Sequence, residues 1–237
     1  KMKDSAYDTM YEVEDYLWWF TARRKLYSLL LNNSKGFKIL DAGCGTGADL
    51  VFLKNYGNAV GVDISEKAVY YNKIRGNKVI KADITNLPFK DETFDIVLAG
   101  DSIYHAWVDD NKAVREFHRV LKKNGCLIIN TAAYQFLMGD HDIAVMTKKR
   151  YTKNGLKKLL LNTNFSLEKI FYWNSFLFPI RAVMVLLKIG DSEKSDLKSG
   201  SLTNKILTII INLEVFLIKR GISFPFGTSI MCKSIKK

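Results

Sequence analysis

The run Lys38-Ile39-Leu40-Asp41-Ala42-Gly43-Cys44-Gly45-Thr46-Gly47 places a carboxylate and three glycines where an apolar run gives way to a helical pattern. Glycine lets a ligand approach the main chain closely. The free N–H groups at the following helix start suit an anionic or polar ligand group. Taken alone, this turn also fits a nicotinamide dinucleotide site, because Gly43, Gly45 and Ala48 satisfy the relaxed dinucleotide pattern. Three carboxylates separate the two readings. Asp41 stands just before the glycines, where it would repel a pyrophosphate but could accept hydrogen bonds from an ammonium. Asp63, 22 residues further on, ends the next apolar run and suits two ribose hydroxyls in either reading. Asp83 and Ile84 end the third run, with an acceptor for an exocyclic adenine amine and an apolar side chain beside the ring. Together they ask for a ligand with adenosine, free ribose hydroxyls and an amino acid end, without phosphate.

Groups that could move a proton are few. The histidines are His105, His118 and His141. His141, flanked by Asp140 and Asp142, is the first candidate for a general base, since a neutral imidazole has the right pKa near pH 7. His105, in Asp101-Ser102-Ile103-Tyr104-His105, is the second, because ligands sit at the carboxyl ends of strands in open parallel sheets. His118 falls in a helical stretch and is expected to pack or face solvent.

The elements that position these residues alternate. Helical spacing over 5–33 carries Tyr7, Tyr11, Trp18, Trp19 and Phe20. Strands are expected at 37–40, 58–62, 78–82, 94–99, 127–129 and 166–172. Helices are expected from Thr46 to Asn55, from Ser65 to Ile74, from Asp109 or Asp110 through Leu121, and after Thr152. The inner strands are continuous apolar runs, the pattern of a parallel sheet covered on both faces. Two apolar helices follow, over 175–190 and 203–220, joined by a polar loop from Gly190 to Ser201. A last strand is expected at 227–234.

The glycine motif, Asp63, Lys81-Ala82-Asp83-Ile84, Phe94-Asp95-Ile96-Val97 and Glu116 through Gly125 stand in the order and spacing of class I S-adenosylmethionine-dependent methyltransferases, which residues 36–131 resemble. In the last segment Lys123-Asn124 replaces a proline and a glycine of the family pattern. The resemblance implies a Rossmann-like seven-stranded α/β sheet, mostly parallel with the last strand antiparallel, helices on both faces and a helical insertion before that strand. It implies S-adenosyl-L-methionine as cofactor and S-adenosyl-L-homocysteine as product. The implied contacts are Asp41, Gly43, Cys44, Gly45, Gly47, Asp63, Ile64, Asp83, Ile84 and Gly100. Trp18-Trp19-Phe20-Thr21-Ala22-Arg23-Arg24 resembles a signature found in methyltransferases of glycan, lipid and secondary-metabolite pathways. By the same resemblance Arg23 or Arg24 would hold the methionine carboxylate. Pro225-Phe226-Gly227 resembles the subfamily's turn into the last strand.

These readings divide one domain into an N-terminal helical cap (1–34), a cofactor-binding core (35–173), a helical lid or insertion (174–222) and a final strand (223–237). The 237 residues are 48% hydrophobic, enough for one sizeable core and against disorder or a fibrous repeat. Cys44, Cys126 and Cys232 show no metal-ligand spacing, and an odd count after the polar start Lys1-Met2-Lys3-Asp4 fits a cytoplasmic protein. The net charge is +12, and residues 145–237, with 17 Lys/Arg and 5 Asp/Glu, carry all of it. A basic back half suits an anionic partner. The function expected is methylation, at oxygen, of a small-molecule, sugar or lipid-linked acceptor. A peripheral membrane contact and a homodimer are both compatible with the apolar back half, and no nucleic-acid partner is expected. Two rivals stand beside this: an RNA methyltransferase using the basic half, and a protein that binds the cofactor without transferring a methyl.

Overall fold

The computed structural model describes residues 2–32, 35–187 and 200–237, apart from the side chains of Asp140 and His141. The greater part of the expected Gly190–Ser201 loop thus lies outside the described residues.

Strands β1 (Phe37–Ala42), β2 (Gly57–Asp63), β3 (Val79–Lys81), β4 (Phe94–Gly100), β5 (Leu121–Ala132), β6 (Phe165–Trp173) and β7 (Ser229–Lys236) form one sheet in the order β3-β2-β1-β4-β5-β7-β6. β1 through β5 pair in parallel, and β7 runs antiparallel to both β5 and β6. Alternate residues feed two cores on opposite faces. Leu40, Val97, Leu127 and Cys232 join one, with α5 (Asp110–Val120) and α7 (Lys153–Leu161). Ile39, Leu98, Ile128 and Met231 join the other, with α2 (Trp18–Leu31), α3 (Ala48–Leu53) and α9 (Ser201–Lys219). Double-sided burial explains why the strands read as unbroken apolar runs.

Helix starts follow their caps. The side chains of Ser65, Asp109 and Thr152 accept from Lys67, Lys112 and Gly155 N–H at the starts of α4 (Glu66–Ile74), α5 and α7. Other boundaries moved. The aromatic segment 5–33 is two helices, α1 (Asp4–Val13) and α2, because Val13, Leu17 and Phe20 pack as a small cluster at the bend between them. The strand expected at 127–129 pairs from Leu121 onward, alongside β4 and β7. The last strand sits two residues later than expected, where Ile235 faces Cys126.

The two apolar helices are α8 (Phe178–Leu187) and α9. α9 lies on α2: Asn204 Oδ1 accepts from Trp18 N–H at 2.9 Å, and Asn212 Oδ1 from Lys25 Nζ at 2.6 Å. Its fully buried Glu214 accepts from the N–H groups of Ser175 and Phe176, so a carboxylate ties the approach to α8 onto α9. Burial pushes the Glu214 carboxyl above its usual range.

Candidate functional site

The glycine turn closes the carboxyl end of β1. Gly43 and Cys44 donate to the Val62 carbonyl at 2.8 and 3.0 Å, pinning the loop to β2. Gly43 has φ +86°, and a Cβ there would sit 2.4 Å from Ser102 Cβ. The main chain can therefore be approached closely only because that residue is glycine. Gly47 serves a different end. A Cβ on it would meet Asn72 Oδ1 at 2.1 Å and Asn77 Nδ2 at 2.6 Å, so it packs the back of the loop rather than facing the cavity. Cys44 is buried, its thiol held above its usual pKa by burial and neighbouring carboxylates, with Asn72 Nδ2 directed at its sulfur.

A cavity of about 870 Å³ opens along the carboxyl ends of β1, β2 and β4, within the range of ligand pockets. Asp41, Gly43, Cys44, Gly45, Asp63, Ile64, Asp83, Ile84 and Gly100 all line it, as does Arg23. Asp63 Oδ2 accepts from Gly45 N–H at 3.0 Å and Oδ1 from Ser65 N–H at 2.9 Å, so the carboxylate braces the loop while facing the cavity. Asp83 Oδ1 accepts from Thr85 N–H at 2.8 Å. A Cβ on Gly100 would meet the Tyr27 hydroxyl at 2.6 Å.

The electrostatics are dominated by Arg23, Asp41 and three carboxylates not picked out from sequence, Asp49, Asp101 and Glu14. Arg23 is buried and donates to Asp101 Oδ2 at 2.6 Å and Asp49 Oδ2 at 2.7 Å, while its Nε–H has no partner. Asp41 is 2% exposed and its Oδ2 is likewise unpartnered. Burial, with Asp49 nearby, pushes the Asp41 carboxyl well above its usual range. Asp41, Asp49, Asp63, Asp101 and Glu14 all line this end of the cavity around Arg23, a carboxyl-rich setting that suits a cationic ligand. Arg24 turns away, donating to the Glu14 carbonyl at 2.7 Å and reaching Asp49 Oδ1 at 3.5 Å. Of the arginine pair, Arg23 is thus the cavity residue.

Glu14, at the end of α1, takes the Thr46 hydroxyl at 2.5 Å and Arg75 at 3.0 Å. Burial raises its carboxyl from 4.5 to about 7. A folded-state value above the unfolded one favours folding at low pH, and that stability is lost as pH rises through the folded value. Glu14→Gln should therefore flatten the stability–pH curve between about 4.5 and 7. The slope removed should amount to about 3 kcal/mol over that window. Urea midpoints of both chains across this range check it, and parallel curves would contradict it.

The loops after β4 and β5 and the inner sides of α8 and α9 line the rest of the cavity, where apolar and aromatic groups predominate: Trp18, Tyr104, Trp107, Leu177, Met184 and Leu207. His105 lines it as well. Its ring stacks on Trp107 at 4.4 Å, and Nδ1 lies 3.0 Å from the Val145 carbonyl, which can only accept, so Nδ1 holds the proton. Burial lowers its pKa to about 4, so the ring is neutral near pH 7. Asp142 reaches the cavity but is engaged. Arg150 Nε and an Nη donate to its two oxygens at 3.0 and 3.1 Å, and Gly139 N–H adds a third bond. Those three bonds tie the two ends of the 139–150 segment together through the Asp142 carboxylate. His141 stands in α6 (Asp140–Ala144), but its side chain is outside the described residues. His118 packs edge-on against Phe165, away from the cavity. A residue not foreseen is Asn174, 6% exposed at φ +58°, whose Nδ2 donates to Thr228 at 2.7 Å while Oδ1 is unpartnered at the cavity wall.

The family described as a methyltransferase domain matches residues 40–129. An uncharacterized protein of Methanocaldococcus jannaschii is 35% identical over 154 residues, covering 61% of this chain and 67% of the relative. A Mycobacterium tuberculosis protein named a probable S-adenosylmethionine-dependent methyltransferase is 33% identical over 124 residues, 51% of this chain, and the match spans only 44% of that relative's length. A solved Thermotoga maritima structure, named an S-adenosylmethionine-dependent methyltransferase and possible histamine N-methyltransferase, shares the fold at TM-score 0.64 and 20% identity. That likeness covers 98% of this chain and 95% of the other. With the 3-2-1-4-5-7-6 sheet and the glycine turn at the end of β1, these matches place the chain in the family of class I S-adenosylmethionine-dependent methyltransferases.

Proposed function

We infer that the chain transfers a methyl group from S-adenosyl-L-methionine to a hydroxyl of a small or lipid-linked acceptor. The observation that carries this reading is one cavity with two chemistries: an acidic, glycine-edged end and an aromatic and aliphatic end walled by α8 and α9. The residues present fit the donor. Unpartnered Asp41 Oδ2 offers an acceptor to the amino acid's ammonium, and Arg23 Nε–H, with the remaining guanidinium donors, offers a site for its carboxylate. Asp63 takes the ribose hydroxyls. Asp83 and Ile84 take the adenine. The carboxyl-rich setting favours a sulfonium.

When bound, the cofactor supplies an electrophilic methyl on a good leaving group. The chain's own residues then have three tasks: to hold the acceptor oxygen in line, to exclude water and to remove a proton. Trp107, Tyr104 and the inner faces of α8 and α9 serve the first two, with α8 and α9 acting as a lid. His105, neutral and fixed by Trp107 and Val145, shapes the acceptor side. His141, at the start of α6 on the ligand side of the sheet, is the proposed base.

The test is incubation of the chain with methyl-labelled S-adenosylmethionine and an extract holding lipids and small hydroxylated compounds. Label is expected in an organic-soluble product that survives alkali, as an ether does and an ester does not. Label confined to RNA or protein would overturn the acceptor assignment. His141→Ala should lower incorporation about a hundredfold and leave S-adenosylhomocysteine affinity unchanged; unaltered incorporation would remove the base assignment.

A further inference from the structure

α9 presents Leu202, Ile206, Ile209, Leu213 and Phe216 to solvent, with Ile209 70% exposed. Their spacing of four, three, four and three residues makes one continuous stripe along the helix. α8 adds Val183, Leu186 and Leu187, none of which lines the cavity, with Leu186 76% exposed, and none of its residues is buried. Both helices thus present apolar side chains that no described residue covers, while Met184 of α8 and Leu207 of α9 wall the cavity. Contiguous exposed apolar surface of this kind marks a contact with a partner or a membrane.

Charge selects the occupant. Exposed Lys205, Lys219 and Arg220 lie along and at the end of α9. Among the described residues from Phe176 onward the single acidic side chain is Glu214, which is fully buried. A second copy docked by a two-fold axis would bring the same three cations, with no exposed carboxylate among the described residues of α8 and α9 to meet them, whereas self-pairing helices carry flanking charges of both signs. A layer of anionic headgroups supplies the missing sign. α9 has the length and hydropathy to cross a bilayer but is anchored flat on the domain by Asn204, Asn212 and Glu214.

We propose that the outer faces of α8 and α9 form an interfacial docking surface for an anionic bilayer, against which the cavity opens so that an amphipathic acceptor enters between the two helices. An exposed apolar stripe flanked, among the described residues of the two helices, by exposed cations and no exposed acid is the pattern of helices that lie in the headgroup region. The acceptor's entry rests on the function proposed above; the docking surface does not.

The test uses the whole chain, sedimented with vesicles of phosphatidylcholine alone or with an equal part of phosphatidylglycerol. The chain should pellet with the anionic vesicles, less so as salt rises. The triple variant Ile206→Ser, Ile209→Ser, Leu213→Ser should lower partitioning about a hundredfold. None of these three side chains lines the cavity, so the variant should keep its unfolding midpoint and its S-adenosylhomocysteine affinity. Failure to pellet with anionic vesicles overturns the proposal, as does equal pelleting of wild type and a folded variant. A lipid-free dimer that the variant converts to a monomer overturns it in favour of a self-interface. Pelleting with no uptake of S-adenosylhomocysteine would support the docking surface and count against the methyltransferase reading alone.

Discussion

Asp63→Ala is expected to weaken S-adenosylhomocysteine binding about a hundredfold, the loss of two hydrogen bonds to a charged acceptor, roughly 3 kcal/mol in all. The side chain works in two directions. It faces the cavity, and it holds Gly45 and Ser65 N–H at 3.0 and 2.9 Å, so its removal also frees the glycine loop. Asp63→Asn separates the effects. One carbonyl oxygen remains to brace the loop, while the charge and the second acceptor are lost, so binding should fall between wild type and the alanine variant. Titration calorimetry on each chain reads this directly. Alanine-variant affinity within a factor of about two of wild type, well inside the change a single lost hydrogen bond brings, would remove Asp63 from the ribose site.

Arg23→Met should be the most damaging change to folding, by about 3–5 kcal/mol, because it leaves two buried carboxylates without their common partner. Asp49 and Asp101 side chains are 9% and 14% exposed and meet on this one guanidinium. Asp101 retains Asn130 Nδ2 at 2.7 Å, so it is the less exposed to the loss. The sign with pH follows. Without the arginine the Asp101 carboxyl, which burial already raises, loses the charge that holds it down, so the deficit should be largest at neutral pH and shrink as acid protonates it. Denaturant midpoints near neutrality and in mild acid measure this. Arg23→Met combined with Asp49→Asn and Asp101→Asn should recover much of the loss, since no buried charge is then left unpaired. A deficit that does not depend on pH and is not relieved by the asparagines would mean that the cluster is held by packing instead, through Trp19, Phe20 and Tyr27 around the guanidinium.

The donor end of the site was legible in the sequence because its parts sit at strand ends. Asp41, Asp63 and Asp83 each close an apolar run, and a parallel sheet brings such ends to one edge. Caps at Ser65, Asp109 and Thr152 were legible for the same local reason, since each bonds a backbone N–H two or three residues ahead. What escaped is what depends on distance along the chain. Arg23 meets partners 26 and 78 residues away, Glu14 meets Thr46 across 32, and neither pairing leaves a trace in local spacing. Asp142 shows the converse. Its position beside His141 suggested chemistry, but Arg150, eight residues on, claims both its oxygens. Gly47 read as a ligand contact because it shares a motif with Gly43. Only the positions of Asn72 and Asn77 show that its missing Cβ makes room for side chains of this chain. The helical insertion was legible as apolar. The burial of Glu214, which makes a carboxylate of α9 an anchor for the approach to α8, was not.

The most direct measurement of the central claim is calorimetry of the intact, cooperatively folding chain with S-adenosylmethionine, S-adenosylhomocysteine and a nicotinamide dinucleotide in turn. A cavity rich in carboxylates, with an unpartnered Asp41 oxygen and with Arg23 already held by Asp49 and Asp101, should take up both sulfur nucleosides one to one and leave the dinucleotide unbound. Uptake of the dinucleotide with no heat from either sulfur compound would contradict it.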